Sequence, residues 1–176
     1  PPLFAIRKRL PWLQINLLTA FLAAFVVGIF EDTIARFTAL AVLLPVVAGQ
    51  SGNTGAQALA VVMRGLALRD IRPSQWLRVT LKESSVALAN GVAVAATTCT
   101  AVYLWSGSMG LTMVIGVSMV VSMVMAGFSG AIIPIILRSL KQDPAQSSSI
   151  ILTTVTDVAG FFSFLGLATI FSSFLE

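Results

Sequence analysis

Residues 144–175 read PAQSSSIILTTVTDVAGFFSFLGLATIFSSFL, and their only charged side chain is that of Asp157. A helix needs about 20 residues to cross the hydrocarbon core of a bilayer, so this stretch is long enough to span one. A charge near the bilayer centre costs about 2.5–3.5 kcal/mol on insertion scales, and such groups usually face a wet cavity, a partner or an ion pathway. The stretch therefore predicts a membrane-spanning helix whose carboxylate interacts with a cation.

The composition is typical of an integral membrane protein, since 57% of the residues are hydrophobic and 10% are charged, against about 25% charged in soluble domains. Long apolar runs favour helices over the alternating strands of a membrane barrel. The chain has no histidine, which excludes imidazole chemistry, and its single cysteine, Cys99, is interpreted as a packing residue. Without a nucleotide-binding loop or a nucleophile–base pair, the sequence does not predict an enzyme.

The apolar runs predict a single all-α transmembrane domain over residues 1–176 with five spanning helices. Four of the predicted spans cover residues 11–30, 84–105, 111–137 and 144–175. The remaining span, second in chain order, covers residues 37–68; it contains a polar segment and predicts one long broken helix with a kink at Pro45. Between the spans we expect a polar turn at residues 31–36 and a short amphipathic helix at residues 73–82.

The distribution of basic residues predicts the orientation of the chain. Ten of the eleven Lys and Arg side chains lie in residues 7–9, 64–82 and 138–141. With five spans these three segments face one side of the membrane, and the positive-inside rule makes that side cytoplasmic. The N-terminus is then cytoplasmic and the C-terminus outside. Because topology accounts for the basic residues, the net charge of +4 does not indicate a nucleic-acid partner.

Residues 49–57, GQSGNTGAQ, form the polar segment of the broken span. Polar or irregular backbone at membrane depth is tolerated where it is buried in protein or lines water. Gly49 and Gly52 leave carbonyl oxygens accessible, and Asn53 and Gln57 share one helix face. The segment is either a small-residue helix contact with bridging amides or, beside an intramembrane aspartate, one wall of a pore.

Two hydroxyl residues share the helix face of Asp157, with Thr153 one turn before it and Ser149 two turns before it. This arrangement predicts an oxygen-lined path that leads to the carboxylate. A homodimer with Asp157 at its axis would supply two carboxylates, which matches the charge of a divalent cation. The alternative is a structural aspartate that is hydrogen-bonded to backbone groups or paired with Arg64 or Lys82.

The available ligand atoms favour a hard cation, because the segment offers carboxylate, amide, hydroxyl and carbonyl oxygens. Mg²⁺ loses its waters reluctantly, so one carboxylate per subunit facing a hydrated ion suits it, while Ca²⁺ and Mn²⁺ stay open. Met119 and Met123 could bind Cu(I), but lipid-facing packing is the favoured interpretation. Glu83 is interpreted as an ion-pair partner of Lys82 at the membrane surface.

The chain resembles the transmembrane domain of the MgtE family of magnesium channels and transporters. The resemblance extends over nearly the whole chain and is carried by residues 45–57 (PVVAGQSGNTGAQ), 64–70 (RGLALRD), 82–83 (KE), 143–145 (DPA) and 153–160 (TTVTDVAG). It implies a homodimer with a pore along the subunit interface, lined by the second and fifth spans, in a bacterial inner membrane. It also implies cytoplasmic regulatory domains before Pro1, which are not part of this chain.

The resemblance also assigns residues to a metal site. Asp157 matches the main selectivity residue, which meets a largely hydrated Mg²⁺, and backbone oxygens of Gly49, Gly52 and Thr153 match groups that hold the waters of the ion. Asn53 and Gln57 match residues that shape the same wall. Some relatives have an Asn-Pro pair where this chain has Ser149-Ile150, which leaves Ser149 as the candidate group at the cytoplasmic mouth.

Together these observations predict a pore domain that passes Mg²⁺ into the cytoplasm, with Asp157 as its selectivity residue. The alternative is a secondary transporter that couples a divalent cation to Na⁺ or H⁺, in which the lone carboxylate alternates between proton and metal. A third interpretation is a non-conducting membrane subunit whose polar segment only joins helices. Selectivity among Mg²⁺, Ca²⁺, Mn²⁺ and Co²⁺ stays open at this point.

Overall fold

The computed structural model describes residues 2–142 and 144–175, so Asp143 of the expected DPA turn lies outside the described residues. The described chain is all-α. Its α-helices are α1 (Pro2–Ile29), α2 (Glu31–Arg36), α3 (Ala39–Ala67), α4 (Trp76–Ser106), α5 (Met109–Ser139) and α6 (Pro144–Ile170). Two short 3₁₀ turns cover Pro73–Gln75 and Ser172–Phe174.

Helix α5 lies at the centre of the bundle and packs against α3, α4 and α6, while α1 packs against α6. Towards the end of the bundle where α3 begins, α3, α5 and α6 enclose an apolar core that includes Leu40, Ile115 and Phe164, all fully buried. Most of α1 is exposed and apolar, with Phe21 and Phe25 among its uncovered side chains. Such a surface suits contact with lipid.

Small residues bring the backbones of α3 and α5 together. A Cβ added at Gly130 of α5 would overlap the carbonyl oxygen of Gly55 in α3 and would lie 3.0 Å from the Ala58 Cβ. Where helices associate in lipid, close backbone approach of this kind replaces the hydrophobic driving force that water supplies elsewhere. The glycine pair therefore determines how α3, which carries the polar segment, is held against the bundle.

We expect Gly130→Ala to destabilise the bundle by about 1–3 kcal/mol, the usual cost of overpacking a tight contact. The matched control is Gly28→Ala on α1, where a new Cβ would meet no atom within 4 Å. Thermal unfolding of both purified variants in detergent measures the difference. Equal midpoints for the two variants would show that the close approach of α3 and α5 is not needed for stability.

Four segments of the described chain are long and apolar enough to cross a membrane, namely Pro2–Ile29, Pro73–Ser106, Met109–Ser139 and Ser147–Ile170. Helix α3 has 29 residues, as long as its neighbours, but the polar segment at residues 49–57 lowers its hydropathy. The structure therefore confirms an all-helical fold with several helices able to cross a membrane. That α3 also crosses the membrane, and which side of the membrane each end of the chain faces, stay predictions.

Three local predictions differ from the structure. The polar turn at residues 31–36 is the short helix α2, and the broken span is a continuous helix, α3, that contains Pro45. The separate amphipathic helix at residues 73–82 is wrong, because Trp76 starts α4 and nothing interrupts that helix before Ser106. Only Pro73–Gln75 forms a distinct turn, in which the Arg72 N–H donates to Gln75 Oε1 at 3.0 Å.

Candidate cation site between α3 and α6

A cavity of about 400 Å³ lies between α3 and α6, and it contains Asp157. Six of the seven predicted site residues line it: Gly49, Gly52 and Asn53 from α3, and Ser149, Thr153 and Asp157 from α6. Ala56 and Thr156 also contribute to its walls. The helix spacing that suggested a shared face for Ser149, Thr153 and Asp157 thus places these three side chains around one space.

The Asp157 side chain is half-buried, and it has no ion pair or hydrogen bond with any residue of the described ranges 2–142 and 144–175. Neither Arg64 nor Lys82 pairs with it, so the structural alternative considered for this aspartate is not observed. Lys82 Nζ instead lies 3.7 Å from Glu83 Oε1, which confirms the expected pairing of those two residues. The Asp157 carboxylate is left to water or to a cation in the cavity.

The hydroxyl groups beside Asp157 use their protons within α6. Thr153 Oγ1 donates to the Ser149 carbonyl at 2.9 Å, and Thr156 Oγ1 donates to the Thr153 carbonyl at 3.0 Å. Each hydroxyl has then used its one proton, and its oxygen can take part in further hydrogen bonds only as an acceptor. Water molecules bound to a cation point their hydrogens outward, so a wall of acceptors beside a carboxylate suits a hydrated cation.

The glycines of the polar segment have two different roles. A Cβ at Gly55 would lie 3.0 Å from Leu152 Cδ1 and 3.3 Å from Thr156 Cγ2, so this glycine serves helix packing. At Gly49 and Gly52 a Cβ would meet no atom within 4 Å. The helix-contact interpretation therefore applies to Gly55, whereas Gly49 and Gly52 border the open cavity.

Gln57, the seventh predicted site residue, lines a different space of about 250 Å³ between α3 and α4. Asn53 borders both cavities, which agrees with its position one turn from Gln57. The second space also receives Gln50, Thr54 and the Asn90 amide from the middle of α4. Asn90 was missed at the level of sequence, although a lone amide within the apolar run 84–105 was a usable signal.

The methionines of α5 do not lie where the sequence placed them. Met119 and Met123 are buried and pack with Ala95 of α4, so the lipid-facing assignment was wrong. Met109 and Met113 are exposed instead. The buried pair fills the α4–α5 interface, where flexible thioether side chains suit an irregular gap.

The chain is similar to proteins of one family. A family model named MgtE and described as a divalent cation transporter matches residues 44–167, which include both walls of the cavity. The chain is similar to proteins named magnesium transporter MgtE from Bacillus subtilis, with 34% identity over 167 residues, and from Thermus thermophilus, with 38% identity over 160 residues. A protein of the same name from Enterococcus faecalis is 32% identical over 170 residues.

These alignments cover most of this chain and a smaller part of the relatives. They include 95%, 91% and 97% of the chain, but 37%, 35% and 38% of the respective relatives. The chain therefore spans little more than a third of the length of each curated relative it matches.

Proposed function

Because the chain belongs to the MgtE family of divalent cation transporters, we propose that it passes Mg²⁺ across the cell membrane through the cavity between α3 and α6. The observation that carries this proposal is the Asp157 carboxylate, which faces an oxygen-lined space without a protein partner among the described residues. An intramembrane charge that no neighbouring group compensates is costly, and a transported cation would compensate it.

The size of the cavity supports a hydrated ion rather than a bare one. Mg²⁺ is octahedral and gives up its waters reluctantly, and six waters at about 30 Å³ each occupy about 180 Å³. A space of about 400 Å³ accommodates that cluster. Asp157 attracts the ion, while the hydroxyl and carbonyl oxygens of Thr153, Gly49 and Gly52 accept hydrogen bonds from its waters.

We propose that the conducting unit is a homodimer in which the cavities of two copies face each other. In one copy α3 leaves Gly49, Asn53, Ala56 and Gln57 exposed along one side of the helix. Uncovered amides at membrane depth are unfavourable unless they face protein or water. A second copy across this face would cover them, and it would bring a second Asp157 to balance a divalent ion.

The same proposal includes the membrane topology. Helix α3 crosses the membrane together with the four other long helices, which makes five spans. It can do so because its polar face contacts the second copy of the chain rather than lipid. The basic segments at residues 7–9, 64–82 and 138–141 then lie in the cytoplasm, and Mg²⁺ moves inward along its electrochemical gradient.

Mg²⁺ uptake into vesicles that contain the purified chain tests the function directly. Uptake should proceed with equal Na⁺ and equal pH on both sides, because a conducting pore needs only the gradient of Mg²⁺. Uptake that requires a gradient of Na⁺ or H⁺ would contradict the pore and favour the coupled transporter. No uptake in any condition would favour the non-conducting subunit.

Cross-linking tests the dimer interface. We expect Ala56→Cys, in a Cys99→Ala background, to form covalent dimers with a short bis-maleimide, because Ala56 is exposed on the open face of α3. The matched control is Ala96→Cys, which is exposed on α4 towards an apolar groove. Gel electrophoresis of membranes treated with the reagent measures the dimer. Dimers that form through residue 96 and not through residue 56 would place the interface elsewhere.

A further inference from the structure

A second cavity of about 900 Å³ lies between α1 and α6, beside the candidate ion pathway. One end is basic, with Lys8 and Arg9 in its wall. Further along, Trp12 and Leu13 from α1 and Ile150 from α6 form an apolar part of the wall, and the remaining lining residues, Asn16, Ser149 and Thr153, are polar. A helix rises about 1.5 Å per residue, so α1 passes from the basic end to Leu13 over about 6 to 8 Å.

The cations at this end have no anionic partner within residues 2–142 and 144–175. No carboxylate of these ranges lines the cavity, and neither Lys8 nor Arg9 forms an ion pair with them. Lys8 Nζ lies 4.9 Å from the centre of the Phe4 ring, which leaves its charge available to an anion. Trp12 is half-buried one turn after Lys8, and tryptophan side chains favour the headgroup region of a membrane.

We propose that this cavity binds an anionic phospholipid, with the headgroup phosphate at Lys8 and Arg9 and an acyl chain along Leu13 and Ile150. The two cations match the headgroup of such a lipid, and the apolar part of the wall at Leu13 and Ile150 matches its acyl chain. Basic pockets between spanning helices on the cytoplasmic side recognise acidic headgroups in this way. A zwitterionic lipid would leave the two cations uncompensated.

The position of the cavity gives the lipid a role in transport, a step that rests on the proposed function. Ser149 and Thr153 line both this cavity and the one that contains Asp157. Lys8 and Arg9 therefore lie near the path of Mg²⁺ and repel it. A bound phosphodiester brings one negative charge and offsets part of this repulsion, so we infer that an anionic lipid increases the rate of Mg²⁺ passage.

Fluorescence quenching tests binding without any measurement of transport. Trp76 and Trp105 are 46% and 58% exposed, so Trp76→Phe with Trp105→Phe leaves Trp12 as the single tryptophan of the folded chain. Brominated phosphatidylglycerol, diluted in phosphatidylcholine, should quench Trp12 with about tenfold higher apparent affinity than brominated phosphatidylcholine does, given the attraction that each basic residue contributes. Added Lys8→Gln and Arg9→Gln should remove this preference. Equal quenching by the two lipids would overturn the proposal.

The transport experiment compares the wild type, the Lys8→Gln/Arg9→Gln variant and an Arg69→Gln/Arg72→Gln control in vesicles of phosphatidylcholine with and without phosphatidylglycerol. Anionic vesicles concentrate Mg²⁺ equally for all three proteins, so only a difference between proteins is informative. The increase on adding phosphatidylglycerol should be at least about twofold larger for the wild type and the control than for the Lys8/Arg9 variant. The same increase in all three would overturn the role in transport.

The two experiments separate failure of the lipid site from failure of the proposed function. Selective quenching of Trp12 in a protein that transports no Mg²⁺ would keep the lipid site and remove the pore. Transport without selective quenching would keep the pore and remove the lipid site. If inorganic phosphate activates transport in phosphatidylcholine vesicles while phosphatidylglycerol does not, the ligand is a free anion and the lipid proposal is overturned.

Discussion

Replacement of Asp157 by alanine is expected to reduce Mg²⁺ uptake by at least about 100-fold. At an effective dielectric constant of about 20, a carboxylate and a divalent ion about 5 Å apart attract each other by about 6 kcal/mol. Each 1.4 kcal/mol corresponds to a factor of ten in affinity. The waters around the ion weaken the attraction, and the carboxylate loses hydration when the ion binds. Even with both effects subtracted, loss of the carboxylate removes most of the ion occupancy of the site.

The substitution should leave the fold intact. The Asp157 side chain forms no hydrogen bond or ion pair with the described protein, so its loss breaks no internal contact of that kind. It also removes an unfavourable charge from the membrane. We therefore expect the variant to keep the oligomeric state of the wild type and to unfold at the same or a higher temperature, as size-exclusion chromatography and thermal unfolding can measure.

Asp157→Asn separates charge from shape, because the amide retains the size and one oxygen of the carboxylate. Uptake should fall nearly as far as in the alanine variant if attraction of the ion is the main role. The control is Asp70→Asn, which removes a carboxylate from the exposed connector between α3 and α4 and should leave uptake unchanged. Wild-type uptake by both Asp157 variants would contradict the assignment of the selectivity residue.

Local spacing was sufficient to predict the α6 wall of the candidate site. Ser149, Thr153 and Asp157 are four residues apart, and a helix places such residues on one face whatever surrounds it. The carbonyl acceptors for the Thr153 and Thr156 hydroxyls also lie in the same helix, three or four residues earlier. Sequence determines features of this kind because they need no information about a second helix.

The α3 wall shows where prediction from sequence ends. Asn53 and Gln57 share a face, as predicted, but that face is wide enough to meet α6 on one side and α4 on the other. Which side each residue takes depends on the contact of α3 with α5 at Gly55 and Gly130, and hydrophobic periodicity does not encode the contact between those two helices. Gln57 consequently lines the space near Asn90 rather than the one near Asp157.

The cavity between α1 and α6 was not predicted for a similar reason. Lys8 and Ser149 are far apart in the chain, and only the packing of α1 on α6 brings them to one space. At the level of sequence, the basic residues of α1 were sufficiently explained by membrane topology. A basic residue that follows the positive-inside rule can also belong to a binding site, and the residues that pack beside it in the structure show which site that is.

Gly52→Leu is expected to reduce Mg²⁺ uptake by at least about tenfold, since apolar side chains in a narrow aqueous path exclude the water that a hydrated ion needs. A Cβ at Gly52 would meet no atom within 4 Å, so the new side chain starts in open space beside the cavity. Long side chains on a helix lie over the preceding turn, which at this position is the turn of Gly49. Both open glycines would be covered at once.

The matched control for this variant is Gly28→Leu on α1, where a Cβ also meets no atom within 4 Å and no candidate pathway passes. Both variants should unfold within about 0.5 kcal/mol of the wild type, as surface substitutions usually do, but only Gly52→Leu should lose uptake. Because Gly52→Leu retains the Asp157 carboxylate, its failure to conduct would come from lost space and not from lost charge. A Gly52→Leu variant that is stable and still conducts would show that Mg²⁺ does not pass between α3 and α6, even if Asp157 proves essential.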